Sequence, residues 1–231
     1  MSTEDVVIIS YKSACVYRSD TLLLEDGQWL NDILVSLWME LLEHDPQVAL
    51  DTLPLPSPWC TGLVQPCSVS LHLYLEPEDL IESLRPLNLN RFERVAFPIS
   101  DAGSNEHGSH WTLLLFDRLS AKLYHYDSAR RMSSGRNLEV SAKFISAIWP
   151  LLRTGQDSSH LPDAPPKIEE GICGQQTNGA DCGAHLLLCI ERIVRMPSKT
   201  NLKDLTEGTS PTDAKNFRSR FKKVLQTFKT D

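Results

Sequence analysis

The stretch Gly174–His185, GQQTNGADCGAH, sets Cys182 between Asp181 and Gly183, just ahead of the apolar run Leu186–Ile190. That run reads as the start of a buried helix, so Cys182 falls at a helix N-terminus. There the positive end of the helix dipole, with a nearby histidine, stabilises the thiolate, which is the nucleophilic form. Gln176 lies upstream, across the glycine-containing loop Thr177–Ala180. If that loop folds back beside the thiol, the Gln176 amide can donate to a developing oxyanion, as can the backbone N–H of Cys182.

Such a nucleophile needs a base, and the base needs an orienter. His110 precedes the run Trp111–Phe116, and after a short polar stretch Lys122–Tyr126 leads into Asp127 and Ser128. Two β-rich runs so separated read as an antiparallel hairpin. His110 begins the first strand and Asp127 ends the second, so pairing brings both to one sheet edge within hydrogen-bonding reach. Cys182, His110 and Asp127 are then a usable triad, since triads are defined by geometry and not by chain order. His107 lacks a strand to fix it, and Cys173, the rival thiol, precedes no helix. His125 shares a strand face with Asp127 and reads as a packed or half-exposed strand histidine.

The supporting elements follow from periodicity. Apolar positions recur at three and four residues from Leu30 to Leu42, an amphipathic helix with Asn31 and Asp32 in its first turn as caps. Residues 45–68 are proline-rich and read as a surface excursion unable to sustain a helix or central strand. Glu76–Asp79 opens a short helical turn, Leu87–Arg91 is a connector, and Arg94–Ser100 is a strand in which Pro98 suggests an irregular or edge position. Asp101–Ser109 reads either as a lid over a substrate or as a solvated hairpin loop. The run with Arg130, Arg131 and Arg136 is a solvated turn. Leu138–Leu152 is a helix that Pro150 kinks or ends, and Thr154–Glu170 is a surface loop. From Ala214 to Lys229 a basic amphipathic helix carries Phe217, Phe221, Val224, Leu225 and Phe228 on one face; docking on its own domain with a solvated basic face is preferred over membrane or partner binding.

Composition bounds the classes. A chain of 231 residues suits one well-buried domain, and a formal charge of −7 argues against general nucleic-acid binding. The start Met1–Asp5 has no basic or apolar signal region, and no apolar run approaches the ~20 residues of a membrane span. A soluble intracellular protein, cytoplasmic or nuclear, is expected. The six cysteines are dispersed, which argues against a disulfide framework, and the Cys60, Cys67 and His72 intervals do not match zinc spacings.

Four segments in order, WLND at Trp29–Asp32, HWTLLLFD at His110–Asp117, YHYDS at Tyr124–Ser128 and QQTNGADCG at Gln175–Gly183, resemble the Ulp/sentrin-specific cysteine protease family. The opening VVIISYKSACVYRSDTLLLEDGQWLND and LYLEPEDL at Leu73–Leu80 resemble its deneddylase branch, while the DCG around Cys182 is that of the wider family. The resemblance implies Cys182 as nucleophile, His110 as general base, Asp127 as orienter and Gln176 as oxyanion donor. It also implies that Trp29 and Trp111 wall a narrow tunnel over the Gly-Gly tail of a ubiquitin-like modifier, with Asp32 contacting the tail just upstream. Flat aromatic faces can close on two glycines where any larger residue would clash.

The expectation is therefore an α+β, papain-like cysteine protease fold, one domain over 1–231, with a central mixed or antiparallel sheet packed against the nucleophile helix. The expected activity is cleavage after the C-terminal Gly-Gly of a ubiquitin-like modifier, with the neddylation modifier favoured. A SUMO-directed protease of the same mechanism and a non-catalytic modifier-binding module are the alternatives; an intact Cys/His/Asp/Gln set argues against the last. No metal or organic cofactor is implied, nor a nucleic-acid or membrane partner, and a monomer is expected.

Overall fold

The protein is described by a computed structural model over residues 5–45, 60–102, 108–154 and 158–228. A hairpin of β1 (Val7–Tyr11) and β2 (Ala14–Tyr17) leads through a 3₁₀ turn to helix α1 (Asp32–His44). The Asn31 side chain caps α1 by accepting from Leu34 N at 3.0 Å. Then come β3 (Thr61–Leu63), α2 (Pro66–Ser70), α3 (Pro77–Leu84) and the hairpin-connected strands β4 (Arg94–Ser100), β5 (Trp111–Asp117) and β6 (Lys122–Tyr126). Helix α4 (Arg136–Leu152), strands β7 (Ile168–Glu170) and β8 (Ile172–Cys173), helix α5 (Cys182–Arg195), strand β9 (Asp204–Leu205) and helix α6 (Pro211–Thr227) complete the chain.

The central sheet has the order β3-β4-β5-β6-β7, antiparallel inside and parallel at both margins. It is a mixed sheet, as expected. Helices cover both faces. Leu113 and Leu115 of β5 and Tyr124 and Tyr126 of β6 join α1, α5 and α6 in one core, whereas Leu114 and Phe116 pack with Phe144 and Ile148 of α4 in the other. This double burial explains why β5 reads as an unbroken apolar run instead of alternating.

Several expectations shift. Of the proline-rich stretch 45–68, residues 46–59 lie outside those described, but the chain has rejoined the sheet by Thr61 and forms a helix with Pro66 in its first turn. The end of Thr154–Glu170 is likewise a sheet strand and not loop. Both strands have three residues, too few to show a period, and their pairing is long-range. Pro98 sits where β4 has β5 on one side but has run past the end of β3, so its missing N–H breaks no ladder. The exposed Pro150 lies in the last turn of α4, which ends at Leu152. His107 and most of the Asp101–Ser109 loop fall outside the described residues.

Helix α6 starts at Pro211, three residues ahead of the expected Ala214, through a capping box. Ser210 Oγ accepts from Asp213 N at 3.2 Å and Asp213 Oδ2 from Ser210 N at 2.8 Å. Its apolar face docks as expected: Phe217 meets Trp38 of α1 edge-on, with ring centroids 4.9 Å apart. Its basic face is not simply solvated. Arg218 is 2% exposed, Arg220 pairs with buried Glu191, and Lys222 Nζ lies 2.7 Å from Glu25. A guanidinium drawn inward by carboxylates and carbonyls from distant segments leaves no mark on helical periodicity.

Truncating Phe217 to Ala should cost about 3–5 kcal/mol of unfolding free energy, measured by urea denaturation, if α6 is part of the core. A loss under about 1 kcal/mol, the size of a surface change, would mean α6 is peripheral.

Candidate active site

His110 lies one residue before β5 and Asp127 one residue after β6. The register pairs Leu113 with Tyr126, which brings the two chain ends together at one sheet edge. His110 Nε2 lies 2.7 Å from Asp127 Oδ1. The carboxylate is aimed by its other contacts: Oδ1 accepts from Ala129 N at 2.8 Å and Oδ2 from Ser133 Oγ at 2.7 Å. The turn before His110 is pinned by Asp101, which accepts from the backbone N–H groups of Ser109 at 2.5 Å and His110 at 2.8 Å. Buried Asn137 of α4 donates to the carbonyl of His110 at 3.1 Å and to Thr112 Oγ1 at 3.1 Å.

The imidazole is also hydrogen-bonded to Cys182. Burial opposes a charge on it, but the bonds to Asp127 and Cys182 and their negative charge outweigh burial and raise its pKa to about 10. For Asp127, too, burial pushes upward and is outweighed by the bonds to His110 and Ser133, so its carboxyl lies below the usual range. The imidazole between Asp127 and Cys182 is thus protonated at neutral pH. His125 contrasts with it. Buried and 2.9 Å from Thr112 Oγ1, it is pulled down to about 4 by burial and stays neutral. Of the two placements expected, it takes the packed one.

Cys182 is the first residue of α5, as expected. Asp181 precedes it at the N-cap but makes no side-chain cap; its oxygens go to Arg218 Nε at 2.9 Å and Asn178 Nδ2 at 2.8 Å. The first N–H groups of α5, that of Cys182 included, therefore carry no side-chain cap. Gln176 is anchored in the loop that leads to α5. Ser128 Oγ donates to its Oε1 at 2.8 Å, which fixes the amide, and Nε2 donates to Asn178 O at 2.6 Å, leaving a second N–H. With His110, Gln176 lines a cleft of about 320 Å³ whose walls include Met132, Ser133 and Gly179.

The two tryptophans meet the same corner. Trp29, half exposed, donates from Nε1 to Gly179 O at 2.7 Å, and Trp111 Nε1 donates to Leu30 O at 2.9 Å. Gly183 makes this approach possible: a Cβ there would lie 2.8 Å from Cβ of Leu30. Asp32 is exposed in the first turn of α1, two residues beyond Leu30. Cys173 is buried in β8 and bonds the buried thiol of Cys189, whose pKa that bond and burial raise. Both sit in the core.

Sequence reasoning missed Asp101, Ser133, Asn137 and Arg218. Each acts through a hydrogen bond whose partner is set by the fold, and no motif flags them. Ser128 lay inside YHYDS without a role.

A thiol at a helix N-terminus, sharing an imidazole with a carboxylate at the edge of a sheet, is the construction of papain-like cysteine peptidases, and fold and site together place the chain in that class. The family model for the Ulp1 protease family, C-terminal catalytic domain, matches residues 91–228, and the chain belongs to that family. Among similar proteins, a probable sentrin-specific protease 8 of Dictyostelium discoideum is 29% identical over 85% of this chain and 79% of its own length. Human sentrin-specific protease 8 is 25% identical over 96% and 98%, and NEDD8-specific protease 1 of Arabidopsis thaliana 26% over 89% and 83%. The solved yeast Ulp1 protease domain, in complex with the SUMO ortholog Smt3, shares the fold with a TM-score of 0.64 at 18% identity, covering 100% of this chain and 90% of that one.

The His110 pKa sets a pH expectation. Being raised from 6.5, it contributes stability that is full below pH 6.5 and lost as pH rises through about 10. The His110 ring, followed by NMR, should keep its proton at pH 8, and activity should fall only as pH approaches the upper value; titration near 6.5 would contradict the ion pair. Asp127→Asn should lower kcat/KM by roughly 10²-fold or more, bring the His110 pKa down, and lower Tm at neutral pH, since the stability the pair contributes there is lost. A rate within about threefold of the parent, well short of that range, would remove Asp127 from the relay.

Proposed function

We propose that this protein is a hydrolase for the bond after the C-terminal Gly-Gly of a ubiquitin-like modifier, with the modifier of the neddylation pathway as its substrate. The observation that carries the chemistry is the His110 imidazole bonded to Asp127 on one side and Cys182 on the other. The modifier assignment draws on the relatives named NEDD8-specific protease and sentrin-specific protease 8.

In this mechanism the Cys182 thiolate attacks the carbonyl carbon of the terminal glycine. The oxyanion is met by the Cys182 N–H and the second N–H of Gln176. His110 gives its proton to the leaving amine, either a lysine side chain of a conjugate or the first residue of a precursor tail. It then takes a proton from water, whose oxygen adds to the thioester carbonyl; collapse releases the modifier's carboxyl end, expels the Cys182 thiolate and leaves His110 protonated again. Trp29 and Trp111 wall the Gly-Gly segment, Asp32 meets the tail upstream, and the whole chain acts as one catalytic domain and as a monomer.

SUMO is the second reading. Solved relatives include the Smt3-bound yeast domain and an effector protein of Xanthomonas campestris bound to ubiquitin, so the fold accommodates more than one modifier.

The test is covalent capture by C-terminal electrophilic probes of the neddylation modifier, SUMO and ubiquitin, with the adduct mapped by mass spectrometry. Selective capture of the first on Cys182 is expected, and Cys182→Ala should bind modifier without cleaving it. Capture by SUMO alone would keep the mechanism and change the substrate. No adduct from folded, reduced protein would leave a modifier-binding module.

A further inference from the structure

Helix α6 reaches the active site through one side chain. Arg218 is 2% exposed, and all three of its guanidinium nitrogens meet groups that flank the reaction centre. Nε donates to Asp181 Oδ1 at 2.9 Å; Nη1 to the carbonyls of Leu23 at 2.9 Å and Glu25 at 3.3 Å; Nη2 to those of Gln28 at 2.6 Å and Ala180 at 3.1 Å. Gln28 is the residue before Trp29, and Asp181 the residue before Cys182. The linkage runs on. Asp181 accepts from Asn178 Nδ2 at 2.8 Å, and the Asn178 carbonyl accepts from Gln176 Nε2 at 2.6 Å.

We infer that Arg218 is a positioning residue that holds the Trp29 wall and the Gln176–Cys182 loop at a fixed separation, so that the substrate tail and the nucleophile stay in register. It touches neither thiol nor substrate and acts through Asp181, Gln28 and Ala180. Two other buried arginines show what a purely structural role looks like here. Arg94 donates to the carbonyls of Ile193, Met196 and Pro197, closing the C-terminus of α5, and Arg118 to those of Phe92, Leu89 and Leu152, beside the C-terminus of α4. Most acceptors of Arg218 lie instead in the 3₁₀ turn and loop before α1 and in the loop before α5. Only a planar fork with five donors spans them. A lysine offers three donors from a single point, enough for Asp181 but not for both loops.

The inference rests on the proposed function, and the test separates the two. Arg218→Met, Arg218→Lys and, as structural control, Arg94→Met are made in the full chain. Three readouts are compared: capture by the Gly-Gly modifier probe, alkylation of Cys182 by iodoacetamide, and hydrogen exchange over residues 20–30 and 176–182. For Arg218→Met, probe capture should fall at least about tenfold, mainly as a rise in the half-saturating probe concentration, while alkylation stays within about twofold. Exchange should rise in both segments together, and Arg218→Lys should recover only part of the loss. Probe capture equal to the parent, an equal fall in capture and alkylation, or exchange that rises across the chain as in Arg94→Met would each overturn the inference. If the parent itself captures no modifier probe, the proposed function fails, and the exchange of the two segments alone decides whether Arg218 couples them.

Discussion

Burial of the first turn of α5 is the constraint on which the rest of the site depends. A helix that starts inside a protein leaves its first N–H groups without intrahelical partners, and they must be met or left to a ligand. Here Gly183 presses against Leu30, so no side chain can fit between α5 and the segment carrying Trp29. Asp181, the natural cap, is diverted to Arg218 and Asn178. What remains is a buried corner with the Cys182 side chain, amide hydrogens that carry no side-chain cap and the positive end of a helix dipole, an environment that favours negative charge.

Charge in such a corner is tolerable only when paired. Asp127 meets His110, Asp181 meets Arg218, and deeper in the same core Glu191 meets Arg220. Each carboxylate lies on or beside an element of the site, and its partner comes from a different part of the fold. Removing one member would strand a buried charge, which costs far more than the net worth of the pair. The same logic explains the imidazole: burial alone would discharge it, as it does His125, and only the flanking Asp127 and Cys182 keep its proton in place.

The sandwich of helices on both sheet faces gives these pairs their rigidity. β5 is packed on both sides, so His110 at its start has a fixed platform, and Asn137 from the helix on one face ties its carbonyl. The core on the other face brings α1, α5 and α6 together, and with them Trp29, Cys182 and Arg218. The reaction centre sits where the two layers meet at the sheet edge.

Much of this was legible in the sequence because it is local. Apolar periodicity marks α1 and α5, and with them the position of Cys182. The β5–β6 hairpin, a short-range pairing with alternation fixed by geometry, brings His110 to Asp127. What tertiary structure alone decided is of another kind. β3 and β7 are three-residue strands recruited by long-range parallel pairing, and nothing in so short a run carries a period. Asp101, Ser133 and Asn137 are ordinary polar residues until the fold sets a backbone or carboxylate against them. Arg218 reads as one more solvated charge on a basic helix face, because its acceptor at Gln28 is 190 residues away in the chain. Sequence by itself determined which residues could do the chemistry, since propensity and periodicity act over a few neighbours; only the tertiary structure decided what holds them in place, since hydrogen bonds and ion pairs depend on separation in space and not along the chain.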